Sequence, residues 1–185
     1  MKRLSVLLTL ILLLSGCGFG GNELDRAMHL RADLLASDCM FRAVITADYG
    51  DTLHSFAMDC QLDTAGNLTF TVAAPEGLAG ITGTISESGG KLTFDDTALA
   101  FPLLADGQFS PISGPWILMR TLRSGYITGC CMEDDLLRLS IDDSYDTDAL
   151  RLDIWLDEKD HPLRGEILWK GRRILTVEVD GFEFL

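Results

Sequence analysis

The sequence predicts an α+β fold that is mainly antiparallel β. Three observations carry this expectation. From Cys39 onward, apolar and polar residues alternate with a period of two in one segment after another. Turn-forming Gly, Asn, Asp and Pro separate those segments at the even spacing of a meander. Helical periodicity is confined to residues 22–37 and a stretch beginning at Pro115. The 185 residues suit one domain, and 47% hydrophobic with 23% charged residues excludes a disordered chain.

The N-terminus lies outside that fold. Lys2 and Arg3 precede an apolar run, Leu4 to Leu14, too short to span a bilayer as a stable helix. Residues 1–16 therefore read as a signal peptide. Leu14-Ser15-Gly16-Cys17 resembles the bacterial lipobox, in which the Cys thiol is diacylated and becomes the mature N-terminus. The alternative is an ordinary secretory signal with an incidental Cys. Two acyl chains make a stable anchor where one is marginal. The expected location is extracytoplasmic, with lipidated Cys17 holding the chain on the outer face of the cell membrane. Residues 17–22 form a Gly-rich tether, and 23–185 form a single domain.

Fifteen Lys and Arg stand against 28 Asp and Glu, a formal charge of −13. Losing residues 1–16 removes two bases and no acid, leaving 169 residues at −15. Such a chain excludes nucleic acid as a partner, and anionic lipid repels it. The body is expected to stand off the membrane, with contact made by acyl chains alone.

The elements follow in order. Asn22 can cap the first helix, with Glu23 and Asp25 in its first turn and Leu24, Ala27, Met28, Leu34 and Leu35 on an apolar face. Alternation from Cys39 to Asp48 and from Ser55 to Leu62 makes a hairpin about Tyr49-Gly50-Asp51. Pairing Asp48 with Asp51 would set Cys39 opposite Cys60, where a cross-strand disulfide is feasible; two buried free thiols are the alternative. Leu68–Val72, Ile81–Ser86 and Lys91–Phe94 continue the meander. Residues 95–114 read as a loop marked by Phe101-Pro102 and Asp106-Gly107. Pro115 opens a short apolar helix ending at Ser124-Gly125. Strands follow near Tyr126–Met132, Leu136–Ile141, Ala149–Leu156, Leu163–Trp169 and Ile174–Phe184. Adjacent Cys130 and Cys131 face opposite ways, so they are poor partners for each other.

Few residues point to chemistry. His29, His54 and His161 lack metal-ligand spacing, and no CxxC, GxSxG or phosphate loop occurs. The acidic run Asp142–Asp148 lacks the Gly and terminal Glu of a calcium loop and reads as a solvated turn. No nucleophile–base set is present. The expectation is a non-enzyme with no cofactor and no metal.

The order of helix, long hairpin, meander, mid-chain helix and second meander resembles the LolA/LolB/LppX lipoprotein-carrier superfamily. In layout it is most similar to lipid-anchored members from Gram-positive spore formers. The segments carrying the resemblance are Leu68–Lys91 and Asp157–Phe184, the latter with Asp160, Pro162, Glu166-Ile167, Gly171 and Phe182-Glu183-Phe184. The resemblance implies a sheet curled into a half-barrel, with helices on its concave face and an apolar cavity for acyl chains. Carriers of lipoprotein cargo tend to have an Arg–aromatic strand motif where this chain has Thr69-Phe70-Thr71-Val72, so their cargo chemistry is not carried over.

On this frame Phe41, Ile45, Phe56, Met58, Phe70, Trp116 and Leu122 are expected to line a hydrophobic groove, with the Trp116 helix as a plug. Plain core packing is the alternative for Trp116. Trp155 alternates with the apolar face of its strand, so it belongs on the convex side, where it would mark an interface unless a loop covers it. The two functional expectations are a lipid or acyl-chain binder, and an envelope or spore-assembly interaction factor whose groove is filled by its own side chains.

Overall fold

The computed structural model describes residues 21–48, 50, 52–94, 97–101, 104–105 and 108–185, without the side chains of 104–105 and 108–109. Residues 1–16, expected to be a signal peptide, and Cys17 lie outside the described residues. Helix α1 (Gly21–Ala36) leads into β1 (Cys39–Asp48), β2 (Leu53–Leu62), β3 (Leu68–Ala74), β4 (Thr82–Ser86), β5 (Gly89–Phe94) and β6 (Thr97–Phe101). Two short strands, β7 (Leu104–Ala105) and β8 (Gln108–Phe109), precede helix α2 (Gly114–Ser124). The second half is β9 (Tyr126–Glu133), β10 (Leu136–Asp142), β11 (Leu150–Leu156), β12 (Pro162–Trp169) and β13 (Arg172–Phe184).

Eleven strands form one antiparallel sheet in the order β6-β5-β4-β3-β2-β1-β13-β12-β11-β10-β9. The two meanders are joined where the first strand pairs with the last, Ala43 opposite Val179 and Ile45 opposite Val177. The sheet is open, with β6 and β9 at its edges. Ten strand spacings of about 4.8 Å would spread a flat sheet over about 48 Å. Leu68 and Ile85 from one half nevertheless share one core with Leu137, Leu139 and Leu152 from the other. The sheet therefore curls into a half-barrel, and α2 lies on its concave side.

Helix α2 is buried along nearly its whole length. Trp116, Ile117, Leu118, Met119 and Leu122 are each at most 4% exposed. It sits low on the sheet because β12 has no side chain beneath it at Gly165, where an added Cβ would lie 2.4 Å from Leu118 Cδ1. The Trp116 indole N–H donates to the Gly66 carbonyl at 3.0 Å, and the Arg123 guanidinium donates to the Asp63 and Thr64 carbonyls. Arg31 of α1 donates to the carbonyls of Leu122 and Gly125, both at 2.7 Å, so it satisfies acceptors that the end of α2 leaves open.

Four expectations need correction. The first helix starts at Gly21, so Asn22 lies inside its first turn rather than capping it. Ala27, Leu30 and Leu34 of α1 are buried, whereas Leu24, Met28 and Leu35 are exposed, because α1 rests on α2 and β9 rather than on a broad sheet face. The stretch 95–114 contains β6, paired with β5 from Gly90↔Phe101 to Phe94↔Thr97.

The fourth correction concerns the β1–β2 register. Asp48 pairs with Leu53, which leaves four residues in the turn, and the Asp48 carboxylate accepts the Gly50 N–H at 2.7 Å. Cys39 therefore faces Leu62, and Cys60 faces Phe41. The two cysteines are diagonal neighbours on the inner face, a position that holds side chains too far apart for a disulfide. Both are buried free thiols. Burial pushes the Cys39 thiol up to about 11 and raises Cys60 further.

Candidate functional site

The seven residues expected to line an open groove come together, but as the centre of the core. Phe41, Ile45, Met58, Phe70, Trp116 and Leu122 are each at most 3% exposed, and Phe56 is half-buried against the same cluster. Helix α2 occupies the space that an open groove would need. Beside Trp116 there remains a cleft of about 180 Å³, bounded by Leu35, Leu62 and Arg120.

The concave face does not end where α2 ends. Strand register continues an inner apolar row from Phe70 to Gly83, Leu92 and Leu99, across β3, β4, β5 and β6. Gly83 leaves room for the Phe70 ring, since a Cβ there would lie 2.5 Å from Phe70 Cζ. Cover is lost along this row. Phe70 is 3% exposed, Leu92 is partly buried, and Leu99 is 63% exposed. Phe94, on the same inner side of β5, is 56% exposed. The β5–β6 hairpin thus presents Leu92, Phe94, Leu99 and Phe101 as an apolar strip at the open end of the half-barrel, and β6 carries no charged residue.

Sequence reasoning missed this strip because residues 95–114 read as a loop. The available signal was the alternation of Leu99 and Phe101 with Ala98 and Ala100. Alanine favours strands weakly, and Pro102 follows directly.

The outer face is polar. A groove of about 740 Å³ runs over β1 to β5, where Thr69, Thr71, Thr82 and Thr84 surround the Arg42–Asp59 ion pair. On the outer face of the second half stands Trp155, as its alternation predicts. No loop covers it. The Arg138 and Arg164 guanidiniums lie over its ring at 5.2 and 4.8 Å, and the three line a pocket of about 330 Å³ with Glu133 and Glu166.

Nearby, Asp153 is 5% exposed and accepts from the Ser140 hydroxyl at 2.6 Å, Arg138 at 3.0 Å and Arg151 at 3.2 Å. Burial alone would raise its carboxyl. The hydroxyl and the two guanidiniums outweigh burial and hold it below the usual carboxylate range. His161 lies against the Phe182 and Phe184 rings, and His29 is exposed on α1. Cys130 is half-buried and Cys131 is exposed.

Among the described residues, these features define an open antiparallel half-barrel, plugged by a helix over most of its concave side, with Phe94 and Leu99 exposed at one end. No family model matches the chain, and no curated protein matches its sequence. Solved structures of similar outline exist. An uncharacterized conserved protein from Thermus thermophilus shares 14% identity at a TM-score of 0.48, covering 89% of this chain and 86% of that one. A LolA superfamily protein from Nitrosomonas europaea shares 8% at 0.44, covering 86% and 93%. The Mycobacterium tuberculosis lipoprotein LppX shares 12% at 0.43, covering 87% and 93%. The likeness is one of outline, and no residue role is carried across.

Proposed function

We propose that this chain is a non-catalytic lipoprotein of the cell envelope, anchored through acyl chains on Cys17, that binds a lipid or acyl chain on the concave side of its half-barrel. The binding place is the bare inner face of β5 and β6, not the filled centre between Phe41 and Leu122. The observation that carries this reading is the loss of cover along one registered row, from 3% at Phe70 to 63% at Leu99. An extended hydrocarbon laid across Leu92, Phe94 and Leu99 removes that surface from water, and burial of apolar area drives the binding.

The test is titration of the mature chain with the fluorescent fatty acid cis-parinaric acid. Leu99→Asp is expected to weaken binding by about tenfold or more, since it exchanges roughly 1.5 kcal/mol of apolar burial for a charge. Absence of binding by the parent chain contradicts the reading. So does binding that ignores Leu99→Asp.

The filled centre supports a second reading, in which a protein partner rather than a lipid is the target. It predicts that Trp155→Ala abolishes pull-down of an envelope partner while probe binding is absent throughout. An unchanged pull-down profile counts against it.

A further inference from the structure

Helix α1 carries two apolar stripes. Ala27, Leu30 and Leu34 are buried beneath it. At roughly 100° per residue, Leu24, Met28, Ala32 and Leu35 fall within about 80° of one another on the adjoining side. All four are exposed, Leu24 by 39%, Met28 by 49% and Leu35 by 56%. Arg31 borders this stripe on the protein side, tied to the carbonyls of Leu122 and Gly125. Asp25 borders it on the solvent side.

The stripe lies close along the chain to the anchor. Only residues 18–20 separate Cys17 from Gly21. Four extended peptide steps span at most about 14 Å. A chain acylated at Cys17 therefore holds the start of α1 within that distance of the lipid interface. From Leu24 to Leu35 the stripe runs about 16 Å along the helix.

We infer that α1 lies in the plane of the membrane interface with Leu24, Met28 and Leu35 against the bilayer, so that the stripe orients the anchored domain. This rests on the reading of Cys17 as acylated. It also amends the expectation that the body stands off the membrane. Repulsion by anionic lipid acts on the acidic body, including Asp25 beside the stripe, while the stripe itself is uncharged. Contact is therefore strongest on a zwitterionic bilayer and weakens as anionic lipid is added.

The experiment uses the acylated full-length product in phosphatidylcholine vesicles. An environment-sensitive NBD label is placed at Met28→Cys or, separately, Leu35→Cys, with Thr84→Cys on the outer face of β4 as the control. The background is Cys130→Ser with Cys131→Ser; Cys39 and Cys60 are buried. The expected result is a blue shift with several-fold brighter emission at 28 and 35 on adding vesicles, none at 84, and a loss of the shift as phosphatidylglycerol replaces phosphatidylcholine.

Acylation at Cys17 is read from the intact mass. A chain that is acylated and floats with vesicles, yet reports water at 28 and 35, overturns the orientation and leaves the anchor standing. A chain without acyl groups that stays in solution overturns the anchor, and the orientation falls with it. A blue shift already present without vesicles assigns the stripe to a second copy and overturns the inference. Two labelled positions keep the result readable if one variant fails to fold.

Discussion

The depth at which α2 sits decides whether the concave side is full, and one contact sets that depth. Leu118 is fully buried, and its Cδ1 occupies the space that a side chain at residue 165 would take. Gly165→Ala puts a Cβ 2.4 Å from that carbon, so either the helix or β12 has to move. Overpacking of this size costs about 1–3 kcal/mol. Leu118→Ala leaves a cavity and costs about 2–5 kcal/mol.

The two changes act on the same space in opposite senses. The methyl added at 165 partly fills the hole left at 118. The double variant is therefore expected to be about 1–2 kcal/mol more stable than the sum of the single losses implies. Urea unfolding of residues 17–185, followed by tryptophan fluorescence with a common slope for all four proteins, gives the coupling directly. Strict additivity refutes the claim that α2 rests on Gly165.

Three further outcomes follow from the same geometry. The Asp153 carboxyl is lowered in the folded chain, so its stabilisation is complete above the unfolded carboxylate value near 4 and is lost as pH falls through the lower folded value. Between about pH 5 and pH 2 the urea midpoint of the parent chain should fall more steeply than that of Asp153→Asn; parallel curves contradict this. Cys39 and Cys60 should stay unreactive toward a thiol reagent until the chain unfolds, Cys131 should label in the native state, and reductant should leave the melting temperature unchanged. Arg31→Met removes two bonds to the end of α2 and should cost about 1–3 kcal/mol in the same unfolding assay.

Much of the architecture was legible because burial on one face writes itself as alternation. Leu150, Leu152, Ile154 and Leu156 gave β11 and placed Trp155 outside, and both hold. What escaped depended on distant residues or on loop length. The β1–β2 register turned on a four-residue loop, and that change moved Cys60 from Cys39 to Phe41. The first helix has apolar residues around a wide arc, and the chain does not say which side α2 and β9 will cover; Leu24, Met28 and Leu35 were left out. The residues expected to line the groove share one core, but whether they bound an empty or a filled space rests on how closely Leu118 approaches Gly165, 47 positions away. The strip at β5–β6 was hidden behind alanines and a proline.

Lipid binding at β5–β6 is tested most directly by photo-crosslinking residues 17–185 with a diazirine-bearing palmitate, followed by peptide mapping. Adducts are expected on the peptide that carries Phe94 and Leu99, and are lost in Leu99→Asp. Adducts confined to the threonine-lined outer groove at Thr69–Thr84, or no adduct at saturating probe, would contradict it.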